Sequence, residues 1–261
     1  MTKIKKQSQI ETFSITTLSE FTQIIETNCH GEYMLFRGQS EDWNLLPKIS
    51  RISPKKGVSL LEAETKMMDD FKRLSKPILT NIPSDEWQWL GLAQHYGMAT
   101  RLLDWSTNPL AALWFAVNNP PKSSFGVIWI FDAPEKDILM TKNVIQLDPY
   151  FGQSTQVFQP EISSSRVQSQ NGWFTVHKYL SEKNGFVPFQ NHARYKKYLR
   201  KVLIPSVNFY KLRFQLDRMG INRLSLFPDL EGAAHYCEWL NSFLPDEHKS
   251  IIESSETYKI N

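Results

Sequence analysis

Residues 94–117 decide the fold of this chain, and they read Gln94-His-Tyr-Gly-Met-Ala-Thr-Arg-Leu-Leu-Asp-Trp-Ser-Thr-Asn-Pro-Leu-Ala-Ala-Leu-Trp-Phe-Ala-Val117. The first half carries many side chains that form directed hydrogen bonds, and the second half has the apolar pattern of a buried helix. A buried polar side chain without a partner costs about 1–3 kcal/mol. The polar half therefore either forms a satisfied internal network or lines a pocket, and the sequence leaves both interpretations open.

The composition is that of an ordinary globular chain. It has 261 residues, 41% of them hydrophobic, and a net charge of +3, which is too weak to predict nucleic-acid binding by itself. Cys29 and Cys237 lie far apart, which argues against a zinc site or a disulfide framework and favours a reducing compartment. The longest apolar run, Pro109–Val117, is too short to cross a bilayer. We therefore expect a soluble, cytoplasmic protein without a metal or a membrane partner.

Helical and strand patterns follow one another without regular alternation, which predicts an α+β fold. We expect a single mixed fold with a central, partly antiparallel sheet flanked by helices. The predicted boundaries are a loose lead over 1–16, one domain over 17–247 and a polar tail over 248–261. Within the domain, the motifs fall in residues 31–132, and a C-terminal part covers residues 133–247.

Capping signals and hydrophobic periodicity place the individual elements. Predicted helices run from about Thr17 to Asn28, from Ser59 to Leu74, from Ser84 to Gly97, from Asn108 to Val117, from Ser206 to Gly220, and from the 226–230 turn to about Phe243. Predicted strands cover Tyr33–Phe36, Gly126–Phe131, Val144–Leu147, Trp173–Val176 and Lys201–Ile204.

The run Phe36-Arg37-Gly38-Gln39 is the first candidate site, at the end of a predicted strand. Arg37 offers five donors in a planar fork, which suits a phosphate or a carboxylate ligand. Gly38 allows a ligand or another chain to approach the backbone closely. The alternative is an arginine that pairs with an acidic residue on a turn, without a ligand.

A second set of candidates lies in the polar half of residues 94–117. His95 can act as a general acid or base, or it can cap the end of the helix that carries it and Tyr96. Arg101 and Asp104 lie three positions apart, so they either form an ion pair that holds a turn or face a ligand.

Two hydroxyl residues, Ser106 and Thr107, stand just before the Asn108-Pro109 helix start. A helix N-terminus presents free backbone N–H groups and therefore favours anions. The same hydroxyls can instead cap the helix, and the two roles are compatible.

The polar run from Arg166 to His177 leads into a strand and resembles a pocket wall, although a simple loop has the same pattern. Gln168 and Gln170 lie two positions apart, so on a strand they face the same side. The basic run from Arg194 to Lys201 either contacts phosphates or forms a solvated face. No Walker-type loop, His-Glu-x-x-His or Gly-x-Ser-x-Gly motif occurs, which disfavours P-loop NTPase, zincin and α/β-hydrolase chemistry.

Phe36-Arg37-Gly38, followed by Gln94-His-Tyr-Gly-x-x-Thr-Arg-Leu-Leu-Asp-Trp-Ser106, resembles the FRG domain, a mostly bacterial family named for its Phe-Arg-Gly motif. The resemblance is strongest over residues 20–130. Ala99 and Ser106 depart from the residues that are common at these positions, Pro and Thr. The family resemblance implies a fold and a set of motifs more than a mechanism.

A weaker resemblance links the chain to mono-ADP-ribosyltransferases of the Arg-Ser-Glu type. It implies that Arg37 grips the phosphates of NAD, and that Ser106 and Thr107 hold the ribose. The place of the later glutamate pair falls on Gln168-Ser169-Gln170. Gln170 cannot supply the negative charge that stabilises an oxocarbenium-like centre, and such a loss typically costs about 3 kcal/mol.

These resemblances lead to one leading expectation, a cleft for a nucleotide or NAD-like ligand, with NAD as a substrate. Two alternatives follow from Gln170: the chain binds NAD-like nucleotides without transferring ADP-ribose, or another carboxylate, Glu64 or Asp104, supplies the missing charge. The candidate catalytic residues are Arg37, His95, Asp104 and Glu64. The candidate ligand-binding residues are Arg37, Gln39, Tyr96, Arg101, Ser106, Thr107, Gln168, Gln170 and His177.

The expected role is that of an ADP-ribosyltransferase-like effector in bacterial stress or phage defence. Two alternatives stay open. One is a non-enzymatic module that binds a ligand or a protein, and the other is a protein that binds or cleaves nucleic acid.

Overall fold

The computed structural model describes residues 10–139, 148–150, 152, 154–160 and 171–247. Its strands are β1 (Glu11–Ser14), β2 (Met34–Gln39), β3 (Leu102–Ser106), β4 (Phe125–Asp132), β5 (Ile138–Leu139), β6 (Gln156–Phe158), β7 (Gly172–Val176) and β8 (Leu199–Pro205). Its helices are α1 (Leu18–Asn28), α2 (Leu60–Ser75), α3 (Glu86–His95), α4 (Pro109–Val117), α5 (Phe209–Arg218), α6 (Arg223–Leu226) and α7 (Leu230–Leu240). Short 3-10 turns connect several of them.

The described strands form a mixed sheet in the order β1-β8-β4-β2-β3-β7-β6-β5. Its central neighbours, from β8 across to β6, pair antiparallel, whereas β1 with β8 and β5 with β6 pair parallel at the two edges. The predicted α+β fold with a partly antiparallel central sheet is confirmed. Strands β2 and β3 lie in the middle of the sheet, so the motifs that they carry lie at the centre of the fold.

The predicted helix starts agree well with the structure. Thr17 and Ser59 each cap a helix in a capping box, with Glu20 and Glu62 as their partners. The third helix begins one position later than predicted, because the side chain of Asp85 accepts the capping hydrogen bond. Strand β2 continues through the Phe-Arg-Gly motif and does not end before it. The predicted strand Val144–Leu147 lies outside the described residues.

The N-terminal boundary differs from the prediction. Residues 11–14 were expected in a loose lead, but they form β1, which lies parallel to β8 with Phe13 beside Val202. Ile15 follows this strand and is fully buried. The strand has four residues with a single large apolar side chain, so its sequence pattern is too short to predict it. Its stability comes from the neighbouring strand and the core.

Helix α4 packs tightly on β2 because Gly38 has no side chain. A Cβ atom at this position would lie 1.8 Å from the carbonyl oxygen of Ala112 in α4. The close approach at Gly38 is therefore made by a helix of the same chain, and not by the ligand or second chain that the sequence suggested. Phe36 is buried in the core under this helix, together with Leu113 and Val117. Two of the three motif residues thus serve the packing of the sheet against α4.

The sheet has two differently covered faces. One face packs against α1, α4 and α5, and farther along against α2 and α3. The other face packs against irregular segments, whose buried rings Phe189 and Tyr195 contact Trp105 and Phe131 of the sheet. In the part of the chain that the structure describes, no helix has the length and apolar character needed to cross a membrane.

Candidate functional site

Arg37 fills a gap between two neighbouring strands. Strand β2 pairs with β4 along its whole length, but the described pairing of β2 with β3 is limited to Phe36 and Ser106. Beyond this pair, Nη1 of Arg37 donates a hydrogen bond to the backbone carbonyl of Asp104 at 2.7 Å. The same nitrogen lies 3.6 Å from Oδ2 of Asp104. The guanidinium therefore satisfies a carbonyl that the sheet leaves unpaired and adds a cation beside a carboxylate.

Asp104 anchors a chain of polar contacts that the sequence did not predict. Its two carboxylate oxygens accept hydrogen bonds from Nε2 of Gln94 at 2.9 and 3.1 Å. Oε1 of Gln94 in turn accepts one from the hydroxyl of Thr100 at 2.6 Å. We call Arg37, Gln94, Thr100 and Asp104 the motif network. All four residues come from the two sequence motifs, so the network joins motifs that lie far apart in the chain.

One end of the motif network is buried, and the other end is exposed to solvent. Thr100 is fully buried, whereas the side chains of Arg37 and Asp104 are 20% and 56% exposed. Burial lowers the pKa of the Arg37 guanidinium, with a smaller contribution from the nearby charge of Arg51, and Asp104 opposes this effect. Nε of Arg37 is buried and has no hydrogen-bond partner among the described residues. The network therefore presents a positioned carboxylate and part of a cation to solvent.

An exposed aromatic ring follows the helix that carries Gln94. Tyr96 comes directly after α3, two positions after Gln94, and 69% of its surface is exposed. His95 ends α3, and its ring contacts the Tyr96 ring edge-on at 5.0 Å. Gly97 has a φ of +81° and ends the helix, as the sequence predicted. Two of the predicted site residues are thus sequence neighbours of a member of the motif network.

Arg101 and Glu64 form a separate pair in the interior. Nε and Nη2 of Arg101 donate to the two carboxylate oxygens of Glu64 at 3.0 and 2.6 Å. The remaining donor, Nη1, reaches the backbone carbonyls of Pro149 and Tyr150. The Tyr150 ring lies 4.7 Å from the guanidinium. The side chains are 1% and 2% exposed, so this pair links α2 to β3 and faces no solvent.

The expected ion pair between Arg101 and Asp104 is therefore wrong. Asp104 belongs to strand β3, and Arg101 directly precedes that strand. Arg101 meets Glu64 of α2, whereas Asp104 meets Gln94 of α3 and Arg37 of β2. Glu64, predicted as a candidate catalytic carboxylate, lies in the interior with Arg101 as its partner.

The hydroxyl residues before α4 serve the helix start. Oγ of Ser106 accepts a hydrogen bond from the backbone N–H of Asn108 at 2.9 Å. The side chain of Asn108 then caps the helix by accepting from Leu110 and Ala111. Thr107 is exposed. The backbone donors of Leu110 and Ala111 therefore have an internal acceptor in Asn108, which confirms the predicted helix start. The hydroxyl of Ser106 contacts the N-cap residue and not the first turn.

Ser106 and Arg37 lie on adjacent strands. Ser106 lies directly opposite Phe36 in the sheet, so both side chains point to the face that carries α4. Arg37 follows Phe36 and pairs with Trp129, which belongs to the core of the other face, and its guanidinium reaches β3 at Asp104. Joint binding of one ligand by Arg37 and Ser106, which the ADP-ribosyltransferase resemblance implies, stays a prediction.

Two further predicted ligand residues are buried. Oε1 of Gln39 accepts a hydrogen bond from the indole nitrogen of Trp129 at 3.1 Å. His177 is buried, and its Nε2 lies 3.1 Å from the hydroxyl of Thr175. Burial, followed by the charges of Arg37, His192 and Arg101, lowers the pKa of His177 to about 3, so the ring is neutral. Gln168 and Gln170 lie outside the described residues.

Three of the five cations in the basic run Arg194 to Lys201 have a carboxylate partner in the described part of the chain. Arg194 pairs with Asp137, and Arg200 pairs with Glu11 at 3.1 Å. Lys201 pairs with Asp42 and also lies over the Trp129 ring at 5.2 Å. Cations held by internal carboxylates contribute less to phosphate binding, because each must exchange one partner for another. These three cations therefore add less to the charge that nucleic-acid binding requires.

Comparison with known proteins identifies one family. Residues 32–124 match the model of the FRG domain, so the chain carries an FRG domain over this segment. The segment includes the motif network, the Arg101–Glu64 pair and helix α4. No curated protein and no solved structure matches the chain. The interpretation of the site therefore depends on its own geometry.

Proposed function

We propose that the FRG domain of this chain binds a nucleotide-like ligand at Arg37 and Asp104, with the exposed ring of Tyr96 as a third contact, and we call these three residues the motif surface. One observation supports this proposal above the others. Asp104 is held by Gln94 and Arg37, yet more than half of its side chain is open to solvent. The carboxylate is thus held in one orientation and remains accessible to a ligand.

A fixed, exposed carboxylate is well suited to bind hydroxyl groups. In dinucleotide-binding folds an acidic side chain accepts hydrogen bonds from the ribose hydroxyls. Asp104 offers the same acceptor atoms, and Gln94 already holds them in one orientation. Because the side chain is ordered before the ligand arrives, binding loses less conformational entropy.

Tyr96 and the nearby cations supply the other two interactions that a nucleotide needs. An exposed aromatic ring can stack on a base, which is worth about 1–3 kcal/mol per base. Arg37 is partly exposed, and the charge of Arg51 lies close enough to influence it. Guanidinium groups favour phosphate ligands. The motif surface therefore combines a stacking ring, a hydroxyl acceptor and positive charge.

NAD is the specific nucleotide that the sequence resemblance implies, and ADP-ribosyl transfer is the finer form of the proposal. Within the described residues, Asp104 is the exposed carboxylate of the motif surface, since Glu64 is enclosed with Arg101. Asp104 would then supply the negative charge that Gln170 lacks. A role in stress or phage defence would follow from such an activity.

The test measures binding of NAD, ADP-ribose and AMP by thermal shift and by isothermal titration calorimetry. A ligand that binds only the folded protein raises its melting temperature. We expect Asp104→Asn to reduce the affinity for ribose-containing ligands at least about tenfold, which equals about 1.4 kcal/mol of binding free energy. Tyr96→Ala should have a similar effect, whereas Tyr96→Phe keeps the ring and should bind almost normally.

The matched control is Asp69→Asn, which removes the charge of an exposed aspartate on α2. Its affinities should equal those of the unmodified protein. If none of the three nucleotides binds, or if Asp104→Asn and Asp69→Asn behave alike, the proposal is wrong. NAD consumption with an Asp104→Asn control separately tests the transfer reaction.

A non-enzymatic interaction module is the second candidate function. It is favoured by the hydrogen bonds that Arg101, Glu64 and Thr100 form inside the protein, because these polar groups hold the fold together. In that case Tyr96 contacts a protein partner and no nucleotide shifts the melting temperature. The nucleotide titrations therefore separate the two candidates directly.

A further inference from the structure

A cavity of about 330 Å³ lies away from the motif surface, between the end of α4 and the helices α5, α6 and α7. We call it the helical cavity. Its lining includes none of the residues of the motif network. The volume lies at the lower end of the range of about 300–1,000 Å³ that is typical of small-molecule sites. The helical cavity is therefore large enough for one small ligand.

Arg213, one of the cations that line the helical cavity, forms its hydrogen bonds and ion pairs with groups of the protein itself. Nε and Nη2 of Arg213 donate to the carbonyl of Val117 at 3.1 and 2.9 Å. Arg213 also pairs with Asp246 and Glu247, and its side chain is almost completely buried. These contacts fasten the chain after α7 to α4 and α5. Arg213 thus forms the rigid floor of the cavity and is not available to a ligand.

Asp217 and Arg223 are opposite charges that do not pair with each other. Oδ1 of Asp217 accepts hydrogen bonds from Asn222 and Tyr236 at 2.9 and 2.8 Å, while Oδ2 has no partner among the described residues. Arg223 makes one long contact, 3.4 Å to Glu231, and its guanidinium lies over the ring of Phe227. Both charges line the same cavity without an ion pair between them. The space between them suits a ligand that carries both complementary charges.

Aromatic rings provide the apolar wall of the helical cavity. Trp239 and Tyr236 lie nearly parallel, with ring centroids 6.1 Å apart, and Trp114 lines the same space. Rings of this kind favour a planar or aromatic partner and gain about 0.5–1.5 kcal/mol beyond the buried area. The wall therefore favours a ligand with an aromatic group next to its charged groups.

We propose that the helical cavity binds an aromatic amino acid as a zwitterion. Oδ2 of Asp217 accepts hydrogen bonds from the ammonium group, and Arg223 donates to the carboxylate. The aromatic side chain lies against Trp239 and Trp114. This proposal is independent of the motif surface, because the two sites share no residue that contacts a ligand.

The test uses the full chain and isothermal titration calorimetry with three probes that differ in one charge each. L-tryptophan carries both charges, tryptamine lacks the carboxylate, and indole-3-propionate lacks the ammonium group. We expect L-tryptophan to bind at least about tenfold more tightly than either of the others.

Two variants assign each charge to its residue. Asp217→Asn keeps an acceptor for Tyr236. It should reduce the affinity for L-tryptophan to that for indole-3-propionate. Arg223→Gln should reduce L-tryptophan to the affinity of tryptamine. Asp104→Asn lies on the motif surface and should change none of these values, so failure at one site is distinguishable from failure at the other.

Three results would overturn the proposal. The first is the absence of any heat of binding for L-tryptophan at about 10 mM. This concentration detects even a binding free energy that is less favourable than about −4 kcal/mol. The second is equal affinity for all three probes, and the third is an affinity that neither variant changes. The thermal unfolding of each variant confirms that it is folded at the temperature of the titration.

Discussion

Two arginines of the FRG domain show how the same chemistry serves different purposes. Arg101 and Arg37 each lie beside one carboxylate, and both come from the sequence motifs. Arg101 forms a two-pronged pair with Glu64, with exposures of 1% and 2% and a closest distance of 2.6 Å. Arg37 lies 3.6 Å from Asp104, and the two side chains are 20% and 56% exposed.

The difference in burial decides what each pair can do. A sealed ion pair cannot exchange its partner for a ligand, and removal of one member leaves a charge in the dry interior. An open pair contributes little to stability, because water already screens both charges. The interior pair therefore holds α2 against the sheet, and the open pair is free to take part in binding.

The largest expected effect breaks the interior pair. Glu64→Gln keeps the shape of the side chain and leaves Arg101 without a counter-charge. We expect a loss of about 3–5 kcal/mol in the free energy of unfolding, measured by urea denaturation. Asp70→Asn removes the carboxylate of an exposed pair with Arg73 and should cost no more than about 1 kcal/mol. Equal losses in the two variants would contradict the assigned role.

An intermediate effect is the dependence of the free energy of unfolding on pH. It comes from the buried residue His177, whose pKa is lowered in part by the charges of both arginines. The folded pKa of His177 is lowered to about 3, below its ordinary value of 6.5. The unfolded chain therefore binds the proton more readily, and stability falls as the pH drops from about 6.5 towards 3. This single group should contribute a slope of up to about 1.4 kcal/mol per pH unit.

The measurement compares urea unfolding at several pH values for the unmodified protein and for His177→Gln. The variant should lose part of the acid sensitivity. The exposed residue His30 supplies the control, since His30→Gln should leave the pH profile unchanged. An acid slope that is the same in all three proteins would show that His177 is not the responsible group.

The smallest expected effect on stability belongs to the open pair. Arg37→Gln keeps a donor for the carbonyl of Asp104 and removes the charge, so the free energy of unfolding should fall by no more than about 1 kcal/mol. Thermal unfolding measures this loss, and titration with NAD measures the loss of binding in the same sample. A destabilisation as large as that of Glu64→Gln would remove the distinction between the two pairs.

Local elements were predictable because their signals lie within a few positions of each other. The capping boxes at Thr17 and Ser59, and the Asn108-Pro109 start of α4, each appear in the structure as expected. Strand β1 was missed because four residues with one large apolar side chain carry no clear period. Gln94 was missed as a member of the motif network because an amide at the end of a helix gives no sign of its partner.

By itself, the sequence determined the fold class, most of the helix starts and the presence of an FRG motif set. These features depend on residue type and on neighbours a few positions away. Only the tertiary structure decided which carboxylate meets which arginine, since the contacts of Arg101 with Glu64 and of Arg37 with Asp104 span 37 and 67 positions. It also decided that one pair is dry and the other is open, because exposure depends on how the whole chain packs around each charge.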